Sequence, residues 1–184
     1  MSRDIQDEYL FTAHNQPQFS SLVVLQLREA LYQNQFTAYY QPQFYLASGN
    51  LRGIEALARW NHPQKGVITP KYFIGPAKSA HLIAQLSSVV LNLIEKQLSY
   101  WIEQDIIPPT ISINFSAQCL RDRVLIQELG EMVQRHACLP VRFEIELTES
   151  EALDPDTRDI ETIASLRKLG IQIAIDDLGN AYSS

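Results

Sequence analysis

Cysteine is almost missing from this sequence. Cys119 and Cys138 are the only two in 184 residues, they form no CxxC pair, and no histidine pattern stands beside them. That excludes a cysteine-based zinc site and a disulfide framework, and it fits a reducing, cytoplasmic setting. Positive charge is also short, with 15 Lys and Arg against 21 Asp and Glu and a net charge of -6. A protein that coats DNA or an anionic membrane carries a basic face, so neither partner is expected, whereas a small anionic ligand is compatible if cations screen its site. No unbroken apolar run reaches the ~18 residues of a membrane span. The start, MSRDIQDEYLFTAHNQ, has early acids and no apolar stretch of a secretory signal. What remains, 46% hydrophobic and 20% charged, is the composition of one globular domain with a substantial core.

Residues 1–20 are polar and aperiodic and read as a flexible tail or linker, with 21–184 as the domain. From Leu22 the apolar spacing of Val24, Leu27 and Leu31 predicts a helix. FTAYYQPQFYL and LRGIEALARW follow as two strands, NHPQKGVITP as a loop, and 71–104 as a long periodic region of two helices. TISINFSA (110–117) is a third strand and RDRVLIQELGEMVQRHA a helix. VRFEIELTES is a fourth strand, PDTRDIETIASLRKLG a helix started by Pro155 and stopped by Gly170, and IQIAIDD a fifth strand. The β-α-β-α alternation predicts a parallel sheet with helices packed outside it. With Ser184 so soon after the fifth strand, that strand is expected to keep an open edge suited to pairing, for instance in a homodimer.

Side chains alternate along a strand, so Glu55, Leu57 and Arg59 share one face of the second strand. By the same rule Ser112, Asn114 and Ser116 align on the third, Glu144, Glu146 and Thr148 on the fourth, and Gln172, Ala174 and Asp176 on the fifth. Four strands thus each carry a hard oxygen donor in their later part, toward one interior. In parallel α/β barrels the C-terminal strand ends build the active site, and carboxylates with an amide oxygen suit Mg²⁺ or Mn²⁺. Asp177, next to Asp176, extends the cluster toward a second ion, an arrangement suited to in-line displacement at phosphorus, with Arg59 facing a phosphate. Taken singly, each residue has an ordinary alternative: a Glu55–Arg59 ion pair within the sheet, a hydrogen-bonded Asn114, an Asp176–Asp177 cap. Glu144 is assigned to a lower polar layer and Glu149 to a loop or helix start.

These residues resemble the EAL domain family of bacterial cyclic-di-GMP phosphodiesterases. The resemblance is carried by YYQPQ (39–43), EALARW (55–60), GVITPKYFI, INFS, FEIELTES and IAIDDLGNAYSS, in the family's order from about Leu22 onward. It implies a TIM-like (β/α) barrel, incomplete here with about five of eight strands. It further implies hydrolysis of cyclic-di-GMP to pGpG with two Mg²⁺ or Mn²⁺ ions. Carried over by position, Glu55, Asn114, Glu146 and Asp176 are metal ligands and Asp177 holds the second metal, with Glu55, Asp176 and Asp177 the catalytic set. Gln41 and Arg59 contact the nucleotide. The family's Lys and Glu of strands six and seven, and the Glu of the loop after strand five, have no counterpart in these residues. The expectation for this chain is therefore a hydrolase reading beside a non-catalytic receptor or protein-interaction reading, with an upstream sensory domain as a further partner. Leu178, Ala181, Lys78 and His81 depart from the family's usual Phe, Gly, Glu and Gly.

Overall fold

Strand alternation divides the sheet into a dry face and a polar one. The computed structural model describes residues 17–148 and 156–176; residues 1–16 of the tail expected over 1–20, with Glu149, Pro155, Asp177, Leu178 and Ala181, lie outside the described residues, while 17–20 belong to the first helix rather than to a tail. Helix α1 (Pro17–Tyr32) buries Leu27, Ala30 and Leu31, in keeping with the apolar spacing. It leads into strands β1 (Phe36–Phe44) and β2 (Leu51–His62).

Here the expectation of a wholly parallel sheet is corrected: β1 and β2 are antiparallel. The few residues between them suffice for a hairpin, whereas a parallel crossover needs a dozen or more. The presumed loop after β2 also contains a short strand, β3 (Gly66–Ile68), folded back antiparallel onto the end of β2. From β2 onward the sheet is parallel, through β4 (Thr110–Asn114), β5 (Arg142–Thr148) and β6 (Gln172–Asp176), in the order β1-β2-β4-β5-β6.

The helices are α2 (Ile74–Ser79), after a 3₁₀ turn at Pro70–Tyr72, α3 (Ile83–Glu103), α4 (Ala117–Arg121), α5 (Arg123–Arg135) and α6 (Thr157–Lys168). The helix predicted over 121–137 is broken at Asp122, whose carboxylate accepts the Leu125 N–H and restarts the chain as α5. Asp156 and Asp159 form a capping box at the start of α6, and Gly170 takes φ +87° just past its end.

Ile54, Ala56, Ile111, Ile113, Phe143, Ile145 and Leu147 form the dry face and join one core with Leu86, Ile94 and Leu98 of α3 and Leu125 and Leu129 of α5. Burying such a side chain contributes about 1.5–3 kcal/mol, so this face holds the helices to the sheet. The opposite face carries Glu55, Ser112, Asn114, Glu144 and Glu146, the set the alternation predicted.

Candidate functional site

Register decides whether the polar residues meet. Glu55 stands opposite Gln41 of β1 and Ser112 of β4; Asn114 stands opposite Glu146; Thr148 stands opposite Asp176. The in-phase set predicted from sequence therefore shares one face over four neighbouring strands. Asn114 donates its amide N–H to Glu55 Oε1 at 2.7 Å, the one direct hydrogen bond between two predicted ligands among the described residues. Glu55, Asn114 and Asp176 line a single cavity of about 310 Å³, together with Lys78, Ser116 and Thr148. Gln41, Arg59 and Glu146 do not line it.

Glu146 is buried and its carboxyl is raised above the ordinary carboxylate value, first by burial and then by the negative charge of Glu55. Asp176 adds to the same repulsion. The carboxylates thus sense one another across the strand ends. Among the described residues no three His, Cys, Asp or Glu side chains are grouped closely enough to hold a metal ion as they stand. The donors are nonetheless all oxygens of the hard type that Mg²⁺ and Mn²⁺ take.

The ion pair imagined between Glu55 and Arg59 does not form. Arg59 donates to the Ala58 carbonyl oxygen at 2.8 Å and lies over the Tyr39 ring, 5.4 Å from its centroid. Stacking of this kind fixes a guanidinium without neutralising it. Tyr39 was not singled out by sequence reasoning, although its place two residues before Gln41 puts it on the same face.

Sequence reasoning also missed Arg52. Its Nη2 donates to both oxygens of Glu144, at 2.8 and 2.7 Å, and its Nη1 donates to Gln43 Oε1 at 2.6 Å. Ser112 Oγ donates to Glu144 Oε1 at 2.8 Å, and Gln43 Nε2 makes a long bond to Glu146 Oε1 at 3.4 Å. This is the lower polar layer to which Glu144 was assigned. The hydrogen bond to Glu144 holds the Arg52 guanidinium more firmly protonated than usual.

The EAL domain family model matches residues 24–184. The bifunctional diguanylate cyclase/cyclic di-GMP phosphodiesterase MucR of Pseudomonas aeruginosa is 34% identical over 158 residues, which is 86% of this chain and 23% of the relative. The cyclic di-GMP phosphodiesterase PdeR of Escherichia coli is 33% identical over 158 residues, 86% of this chain and 24% of the relative. The chain thus spans about a quarter of the length of these curated relatives. Among solved structures, the PaMucR phosphodiesterase in complex with c-di-GMP superposes with a TM-score of 0.77 at 33% identity, over 89% of this chain and 66% of that one.

Proposed function

Because this chain belongs to the EAL domain family, whose fold is a TIM-like (β/α) barrel present here in part, we propose that its polar strand ends bind cyclic-di-GMP. We further propose that, with two Mg²⁺ or Mn²⁺ ions, they serve its hydrolysis to the linear dinucleotide. The observation that carries the reading is the convergence of Glu55, Asn114, Glu146 and Asp176 on one sheet face, with Asn114 bonded to Glu55 at 2.7 Å.

In this reading Glu55, Asn114, Glu146 and Asp176 supply the oxygens that hold metal, and Asp177, outside the described residues, extends the set to a second ion. Bound divalent ions would polarise a phosphoryl oxygen and make water a stronger nucleophile at neutral pH. The chain's own residues do the rest. Arg59, stacked on Tyr39 and with no carboxylate partner among the described residues, is available to a phosphate. Gln41, opposite Glu55, faces the nucleotide from the hairpin. In the overall step a water oxygen bonds to phosphorus, one ester P–O bond breaks, and the proton passes to the leaving sugar oxygen.

Incubating the purified chain with cyclic-di-GMP and Mn²⁺ tests this. Linear pGpG formed above a Glu55→Ala control is the expected result. Calorimetric binding of the dinucleotide without pGpG makes the chain a receptor, and absence of both binding and turnover overturns the reading.

A further inference from the structure

We infer that Arg52 and Gln43 are positioning residues for Glu146, and that a β-bulge in the first hairpin is what brings Arg52 to that task. The inference rests on the proposed role of Glu146 as a metal ligand.

In the β1–β2 ladder Gln43 pairs with Gly53 and the next pair is Phe44 with Leu51, so Arg52 is the extra, unpaired residue. Strict alternation would put Arg52 in phase with Ile54 and Ala56, on the face that packs against helices. The bulge re-aims it to the polar face, as bulges beside functional sites do.

There its hydrogen bonds exceed what an ion pair needs. Nη2 alone donates to both oxygens of Glu144, which leaves Nη1 to donate to Gln43 Oε1 at 2.6 Å. That bond selects the amide's orientation. With its oxygen taken up by Arg52, Gln43 presents its NH₂ to Glu146 Oε1, 3.4 Å away, where a reversed amide would set oxygen against oxygen. The anchor is firm: the Glu144 side chain is 6% exposed and takes a third bond from Ser112. One oxygen of Glu146 is thereby held by the protein, which fixes the direction of the other. Partners of this kind set the orientation of metal-binding carboxylates.

Calorimetric titration of the full chain with Mn²⁺ alone, paired with urea unfolding in the absence of metal, tests the assignment. Gln43→Leu is expected to weaken Mn²⁺ binding by about 10–100-fold while leaving the metal-free unfolding midpoint in place. Arg52→Lys, which keeps a positive charge on Glu144 but lacks the fork, is expected to weaken Mn²⁺ binding in the same sense. Binding by Gln43→Leu and Arg52→Lys within twofold of the parent, whatever their midpoints, overturns the inference and leaves the proposed function standing. A parent chain that binds no Mn²⁺ overturns both.

Discussion

Gly53→Ala is the substitution whose cost follows most directly from the geometry. A Cβ built on Gly53 lies 2.7 Å from the Thr110 carbonyl oxygen, 2.8 Å from its Cβ and 3.1 Å from its carbonyl carbon. Ordinary contact begins near 3.4 Å, so β2 and β4 must part by about 0.7 Å. Two of the three obstructing atoms are backbone, and no rotamer change relieves them. Overpacking of this kind costs about 1–3 kcal/mol; with a urea slope of about 2 kcal/mol/M, the midpoint should fall by roughly 1 M. The β2–β4 ladder pairs only Ile54, Glu55 and Ala56 with Ile111, Ser112 and Ile113. The displacement therefore reaches Glu55 and stretches its 2.7 Å bond to Asn114. Loss of ligand affinity or turnover of up to about 100-fold is expected from a misplacement near 1 Å. The assay is urea unfolding followed by Trp fluorescence. A Gly53→Ala midpoint at or above the parent's would refute the reasoning.

Four further outcomes are expected. Glu146→Gln should raise the metal-free midpoint at pH 7, because a carboxyl whose value is raised in the folded state stabilises below its ordinary range and loses that contribution as pH rises through the raised value; the same variant should bind Mn²⁺ poorly by calorimetry. Asp159 behaves oppositely: its carboxyl is lowered, chiefly by the Arg121 hydrogen bond, so its contribution is present above its ordinary value and is lost as pH falls through the lowered one. Asp159→Asn should cost about 2 kcal/mol at pH 7, a gap that closes in acid when unfolding is followed against pH. His81 sits exposed at φ 56°, and His81→Val should lower stability by about 1 kcal/mol, read from the thermal midpoint. Arg59→Ala should weaken cyclic-di-GMP binding about tenfold or more by calorimetry, with Tyr39→Ala acting in the same direction through the lost stack.

The phase of the polar face was legible because period-two alternation survives in every strand from Glu55 to Asp176, and one apolar set packs against the helices opposite. The antiparallel β1 was not, although the short stretch between YYQPQ and EALARW could have signalled a hairpin. Arg52 was hidden by the bulge, since alternation assigns it to the wrong face. Gly53 was the available sign, because glycine inside a strand marks a bulge or a close backbone approach, and here it marks both. The break at Asp122 illustrates a cap overriding a continuous helical pattern: RDRVLIQ reads as one helix until the aspartate's affinity for backbone N–H groups is considered. Arg59's stack on Tyr39 depends on a pairing across strands that no local pattern contains.

Anomalous diffraction from crystals of this chain grown with Mn²⁺ tests the central claim most directly. The expected result is a manganese peak about 2.0–2.3 Å from oxygens of Glu55, Asn114, Glu146 and Asp176. A peak bound elsewhere, or an occupied ion touching none of these four, would contradict the proposed site.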